Sequence, residues 1–213
     1  MGINIDDTLT THIAPEYFLL MQSRLILCAK SCDFIEVAVG NYGIIFITFT
    51  RSVNKLKTCI IYYSQHHGNT KKLLDAIKAV DSDVELVDAT KRHEVDLSGY
   101  DRIGFASGIY YGKFAEQILN FAKVNLPIGK DVFFIATAGN PMKNNFNAIG
   151  EITSGKHCNE LGRFISKGFD TYGPFKIVGG LQKGHPTDEE IEGAVNFYKG
   201  ISDGKEKYTG NNR

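Results

Sequence analysis

The seven residues Ser64-Gln65-His66-His67-Gly68-Asn69-Thr70 have the types and order suited to holding an anion. They follow the apolar run Cys59 to Tyr63 and precede a stretch whose Leu73, Leu74, Ile77 and Val80 recur at helical spacing, so a strand turns into a helix here. The first turn of a helix carries unpaired N–H groups and the positive end of the helix dipole, and a phosphate fits there. Gly68 admits a close backbone approach, Asn69 and Thr70 can cap the helix and donate hydrogen bonds, and the two histidines add donors. A well-capped turn with no ligand would use the same residues, so the rest of the chain has to decide.

The elements around this loop repeat one plan. Lys57 to Tyr63 predicts a strand, Thr70 opens the first helix, and Val84 to Val87 predicts a second strand, followed by a polar connection from Asp88 to Asp101. Arg102 to Ala106 is a third strand ending in Ser107-Gly108-Ile109-Tyr110-Tyr111-Gly112-Lys113, after which Phe114, Ile118, Phe121 and Ala122 mark a helix. Val132 to Ala136 is a fourth strand ending in Thr137-Ala138-Gly139-Asn140-Pro141, with a helix to follow between about Asn145 and Glu160 that Gly150 and Gly155 weaken. The fifth strand has two candidates, Arg163 to Ser166 and Phe175 to Val178. A last helix starts at Thr187, where Thr187 and Glu190 form a capping box behind Pro186, and buries Ile191, Ala194, Val195 and Tyr198. The tail from Gly204 to Arg213 is polar and expected to fray.

Strands alternating with helices predict a parallel sheet covered on both faces, with ligands beyond the carboxyl ends of the strands. The three loops 64–70, 107–113 and 137–141 all fall at those ends. One such loop is a turn, whereas three converging on one edge make a site.

Composition narrows the classes further. The 213 residues, 43% hydrophobic, suffice for one α/β domain with an appendage. Lys and Arg number 24 and so do Asp and Glu, so no net charge recommends a nucleic acid or an acidic lipid surface as partner. Cys28, Cys32, Cys59 and Cys158 have neither disulfide-scaffold nor zinc spacing and read as reduced thiols of a cytoplasmic protein, with a labile Cys28–Cys32 pair as the alternative. The apolar stretches near the N-terminus fall short of the ~20 residues of a membrane span, and the first sixteen residues lack the positive charge of a secretory signal. His12, His93, His157 and His185 have no metal-ligand spacing and read as surface or capping residues. No Ser-His-Asp order rises above chance, and Gly68-Asn69-Thr70-Lys71 lacks the Gly-Lys-[Ser/Thr] order of a P-loop.

From about Leu56 to Ile201 the chain resembles the flavodoxins. The resemblance rests on the Tyr-Ser-x-x-x-Gly-Asn-Thr form of the first loop, the five alternating strands, and the text Gly173-Pro-Phe-Lys-Ile-Val-Gly-Gly-Leu-Gln-Lys-Gly-His-Pro186. It implies a three-layer α/β/α sandwich around a five-stranded parallel sheet of order 2-1-3-4-5. It also implies an FMN cofactor with its phosphate in the first loop, Ser64 to Thr70, and its ring between the second loop (Ser107, Gly108, Ile109, Tyr110, Tyr111, Gly112) and the third (Thr137, Ala138, Gly139, Asn140). Gln65, His66 and His67 depart from the hydroxyl residues common at these positions, which shifts phosphate binding toward backbone N–H groups. Of Tyr110 and Tyr111, one is expected to stack on the flavin and the other to pack on the neighbouring helix. In the family a backbone peptide of the second loop turns to meet N5 of the reduced flavin, and Gly108 is the residue here that makes the turn cheap.

The implied function is a monomeric low-potential electron carrier that docks on other redox proteins. The rival is an FMN-dependent NAD(P)H reductase of quinones or nitro compounds, and a flavin-free structural domain is a third possibility. Four of the 24 basic and five of the 24 acidic residues lie in residues 1–55, which leaves 20 and 19 in the remainder, so the domain lacks the acidic excess of well-known flavodoxins. Residues 1–55 read as a separate, poorly ordered extension, not necessarily part of the mature protein, with a helix or hairpin covering a sheet edge as the alternative. The FMN-binding domain is expected over 56–203.

Overall fold

A computed structural model of the chain describes residues 8–13, 34–39, 45–50, 56–65, 67–169, 180–202 and 208–209. They belong to two compact units, Met1–Lys55 and Leu56–Arg213. In the first unit, β1 (Thr8–Ile13), β2 (Phe34–Val39) and β3 (Ile45–Thr50) form an antiparallel sheet of order β1-β3-β2. β2 and β3 make a hairpin in which Val39 pairs with Ile45. Where the sequence reads as irregular, these strands arise from short runs rich in β-branched and aromatic residues, a signal in which helical spacing has no part.

The second unit runs β4 (Thr58–Tyr63), α1 (Asn69–Val80), β5 (Glu85–Asp88), β6 (Arg102–Tyr110), β7 (Lys113–Phe114), α2 (Glu116–Asn125), β8 (Asp131–Ala138), α3 (Asn147–Gly155), β9 (Asn159–Lys167), α4 (Asp188–Ser202) and β10 (Tyr208–Thr209). The main sheet has the order β5-β4-β6-β8-β9-β10 and every pairing along it is parallel. Its five principal strands therefore follow the expected order 2-1-3-4-5, in an α/β sandwich of the flavodoxin type. β10 is an addition to the edge, pairing Tyr208 and Thr209 with Gly162 and Arg163 in the region of the expected frayed tail.

Period-two alternation sorts the strand residues onto two faces. Cys59, Ile61, Ile103, Phe105, Val132 and Phe134 point into one core, which α2 and α3 close with Ile118, Phe121, Ala122 and Ile149. Ile60, Ala106, Phe133 and Ile135 point into the other, which α1 and α4 close with Leu73, Ile77, Ala194 and Phe197. Because both faces are covered, Cys59 to Ile61 and Val132 to Ala136 read as unbroken apolar runs and have no exposure at all. Burying one such Ile or Phe side chain contributes roughly 1.5–3 kcal/mol.

Several boundaries differ from the sequence expectation. β6 runs on to Tyr110, so Ser107 to Tyr110 are strand and not loop, and Phe114 lies in β7 ahead of the helix it was expected to join. Val80, expected on the buried stripe, is half-exposed at the end of α1, whereas Leu73, Leu74 and Ile77 are fully buried. The fifth strand takes the first of its two candidate positions and extends it to Asn159–Lys167, while Phe175 to Val178 lies outside the described residues. The third expected helix, placed between about Asn145 and Glu160, shortens to α3, preceded by a 3-10 turn at Lys143–Phe146. The capping box of α4 is present: the Glu190 amide donates to Thr187 Oγ1 (3.3 Å) and the Thr187 amide donates to a Glu190 carboxylate oxygen (2.8 Å).

Candidate functional site

β4 ends where its apolar run ends, and the chain turns through His67 (φ 54°) and Gly68 (φ 65°) into α1. Two successive left-handed residues reverse the backbone within one step, which glycine does without strain and histidine does at a cost. Gly68 caps the helix with no side-chain bond of its own; instead Ser64 Oγ reaches across the loop and accepts from the Lys71 amide (3.2 Å). The Lys72 amide bonds to Gly68 O (3.0 Å), which leaves the first-turn amides of Asn69 and Thr70 without an intrahelical acceptor. No carboxylate lies in that turn.

The second loop is a two-residue hairpin. Tyr110 pairs with Lys113, and Tyr111 (φ 51°) and Gly112 (φ 81°) between them are both left-handed, the conformation of a tight turn that matches strand twist. Tyr111 is 84% exposed at its tip. Tyr110 packs edge-on against Tyr63 of β4, ring centroids 5.7 Å apart. Gly108 sits inside β6, in register with Thr137.

The third loop is tied to both others. Thr137 Oγ1 and Thr70 Oγ1 are 2.9 Å apart, both buried, which joins the end of β8 to the start of α1. Asn145, 1% exposed, accepts from the Met142 amide (2.8 Å) and donates to Gly112 O (3.0 Å), which joins the turn after β8 to the hairpin tip.

These three loops line one cavity of about 290 Å³ at the carboxyl edge of the sheet. Ser64, Gln65, Asn69, Thr70, Gly108, Ile109, Tyr110, Tyr111, Gly112, Thr137, Ala138, Gly139 and Asn140 of the expected site are all in its walls. His67 and Gly68 are not; the His67 ring lies against Phe169 instead, centroids 4.3 Å apart. Ser107 is also absent from the lining, because its hydroxyl turns away to accept from the Ala115 amide (3.0 Å) at the start of α2. His66 lies outside the described residues. Met142, Asn145, Gly168, Phe169 and Leu181 line the cavity without having been singled out in the sequence.

Residues 60–166 match the family described as the flavodoxin domain. The chain belongs to the flavodoxin family. An uncharacterised protein of Methanocaldococcus jannaschii is 37% identical over 148 residues, which are 68% of this chain and 98% of that relative. Oxidised flavodoxin 2 from Bacillus cereus is similar in fold, with a TM-score of 0.51 at 19% identity over 70% of this chain and 99% of that one. So is rubredoxin oxygen:oxidoreductase from Desulfovibrio gigas, with a TM-score of 0.50 at 13% identity over 70% of this chain and 36% of that one.

In this flavodoxin domain the cavity lining is uncharged: among the described residues no Asp, Glu, Lys or Arg contributes to it. Asn69 is 6% exposed, its Nδ2 donates to Phe169 O (2.8 Å), and its Oδ1 is buried with no partner among the described residues. A buried acceptor without a donor costs about 1–3 kcal/mol, so this atom is suited to a hydroxyl or N–H brought by a ligand. Among the described residues no helix is long and apolar enough to cross a membrane.

Proposed function

We propose that the chain binds FMN and carries single electrons at low potential between redox proteins, as a monomer in the cytoplasm. The observation that supports this best is that three loops far apart in sequence line a single cavity at the carboxyl edge of the sheet. The residues fit the group. The Asn69 and Thr70 amides, at the positive end of α1 with no carboxylate beside them, suit a phosphate. The orphaned Asn69 Oδ1 suits a sugar hydroxyl, the exposed Tyr111 ring suits the face of a flat heterocycle, and backbone groups of Thr137 to Asn140 suit its polar edge. The left-handed backbone of the second loop lies at Tyr111 and Gly112, while Gly108 pairs with Thr137 within β6.

FMN supplies reversible one-electron chemistry when bound. The protein's part is to orient it and set its electrostatics: a lining without Lys or Arg gives little stabilisation to added negative charge, which favours a low potential. In this reading residues 56–203 are the FMN-binding domain, 1–55 a separate extension and 204–213 a tail.

The test is to purify the protein, record its visible absorption, and titrate it with dithionite and with NAD(P)H. The proposal expects a bound yellow flavin that reduces in resolved one-electron stages and does not oxidise NAD(P)H. Steady NAD(P)H turnover with a quinone would overturn the carrier in favour of a reductase, and absence of flavin binding would overturn both.

A further inference from the structure

The cavity has a wall that belongs to none of the three loops. β9 ends at Lys167, and the next two residues, Gly168 and Phe169, line the cavity together with Leu181. This exit is bonded to two of the loops. The Gly168 amide donates to Ala138 O (3.0 Å) in the third, and Phe169 O accepts from Asn69 Nδ2 (2.8 Å) in the first. The fit is tight, because a Cβ at Gly168 would come within 3.0 Å of Asn69 Nδ2 and 3.2 Å of Thr137 Cβ. The Phe169 peptide is therefore in a position to orient the Asn69 amide and thereby present Oδ1 as an acceptor.

The exit is held from behind by one carboxylate. Glu190 accepts from the Lys167 amide (3.2 Å) with one oxygen; the other lies 2.7 Å from His185 Nδ1 and 2.8 Å from the Thr187 amide. His185 in turn accepts from the Phe169 amide through its carbonyl (3.3 Å). Burial pushes the Glu190 pKa up, but the bonds from Thr187, His185 and Lys167 together outweigh it and hold the pKa below the ordinary carboxylate value. An ionised carboxylate accepts only, which is what three N–H donors around it require.

We propose that Gly168–Phe169 is a fourth wall of the FMN site and that Glu190 is its positioning residue, acting through Lys167 and His185 on the Phe169 peptide and so on Asn69. The inference rests on the FMN reading. Glu190 thus has a second role besides capping α4, and the two separate by mutation. Glu190→Gln places an NH₂ group among donors and disturbs both roles, whereas Thr187→Ala removes the hydroxyl that accepts from the Glu190 amide and disturbs the cap alone.

The experiment measures the FMN dissociation constant of the apoprotein by quenching of flavin fluorescence, with thermal midpoint and the NMR signals of the Asn69 side-chain amide recorded without flavin. Both variants are expected to lower the midpoint. Only Glu190→Gln is expected to weaken FMN binding, by about tenfold, and to move the Asn69 amide signals in the apoprotein. Thr187→Ala is expected to stay within about twofold of wild type. Equal affinity in wild type and Glu190→Gln, or equal weakening in both variants, overturns the fourth wall and leaves the FMN reading intact. Failure of the wild-type apoprotein to bind FMN overturns both.

Discussion

The buried Thr70–Thr137 hydroxyl pair gives a prediction in which the sign of a double mutant, not merely the loss in a single one, tests the argument. The two oxygens are 2.9 Å apart and the residues are 1% and 4% exposed, so neither hydroxyl has ready access to water. Thr70→Val keeps the shape, removes a hydrogen bond, and leaves the Thr137 hydroxyl buried without this partner. Removing one partner strands a buried hydroxyl at a cost of about 1–3 kcal/mol, so each single variant should lose about 2 kcal/mol. Replacing both hydroxyls strands neither, and the Thr70→Val/Thr137→Val variant should lose about 1 kcal/mol or less. The expected coupling is therefore about 3 kcal/mol, well outside the additivity of distant sites. Urea unfolding of the apoprotein followed by far-UV circular dichroism measures it, with the slope required to stay constant across the four proteins. A double variant that loses the sum of the two singles would refute the claim that this pair is a closed, dry link between the first and third loops.

Three further expectations follow from groups elsewhere in the domain. A Cβ at Gly104 would lie 2.5 Å from Phe133 Cζ and 3.0 Å from Ile60 Cγ1, so Gly104→Ala should cost about 1–3 kcal/mol by overpacking; an unchanged thermal midpoint would contradict the close approach of β6 to the Phe133 ring. Burial pushes the Cys59 thiol up to about 12, so peptide-resolved alkylation at pH 8 should label Cys59 only after unfolding, and rapid native labelling would show that the β4 core is not closed. The Glu190 carboxyl is held below its ordinary value of 4.5, so the stability it contributes is present above that value and lost as pH falls through the folded value. The gap in midpoint between wild type and Glu190→Gln should accordingly be full at pH 7 and close in acid, and a gap independent of pH would mean the charge plays no part.

The strands and most of the cavity were legible in the sequence because buried parallel strands are continuous apolar runs and polar loops mark their carboxyl ends, whereas the sheet order came with the resemblance to the flavodoxins. The end of β6 was not legible. Ser107 and Gly108 look like a turn by type, yet the ladder to Thr137 carries them as strand, and the true turn at Tyr111–Gly112 is set by backbone conformation that a tyrosine does not advertise. The wall after β9 was hidden for a related reason. Gly168 matters through what it leaves room for, Asn69 and Thr137, which lie 99 and 31 residues away. Glu190 was read correctly as a capping residue from its spacing to Thr187, but its bond to the Lys167 amide spans 23 residues and has no local signature. Asn145 likewise gave no sign that its amide would reach Gly112.

That Asn145 amide has a consequence for anyone who rebuilds this protein. Its oxygen and nitrogen bind backbone groups of Met142 and Gly112, so the hairpin tip and the turn beyond β8 form a single mechanical part with Asn145 as its rivet. A graft that exchanges the hairpin for one from another protein carries over the backbone carbonyl but not the reach of its new neighbour. The transplantable cassette is therefore the hairpin together with residues 137–145, and a designer who moves only half of it should expect a correctly folded sheet with a loosened rim.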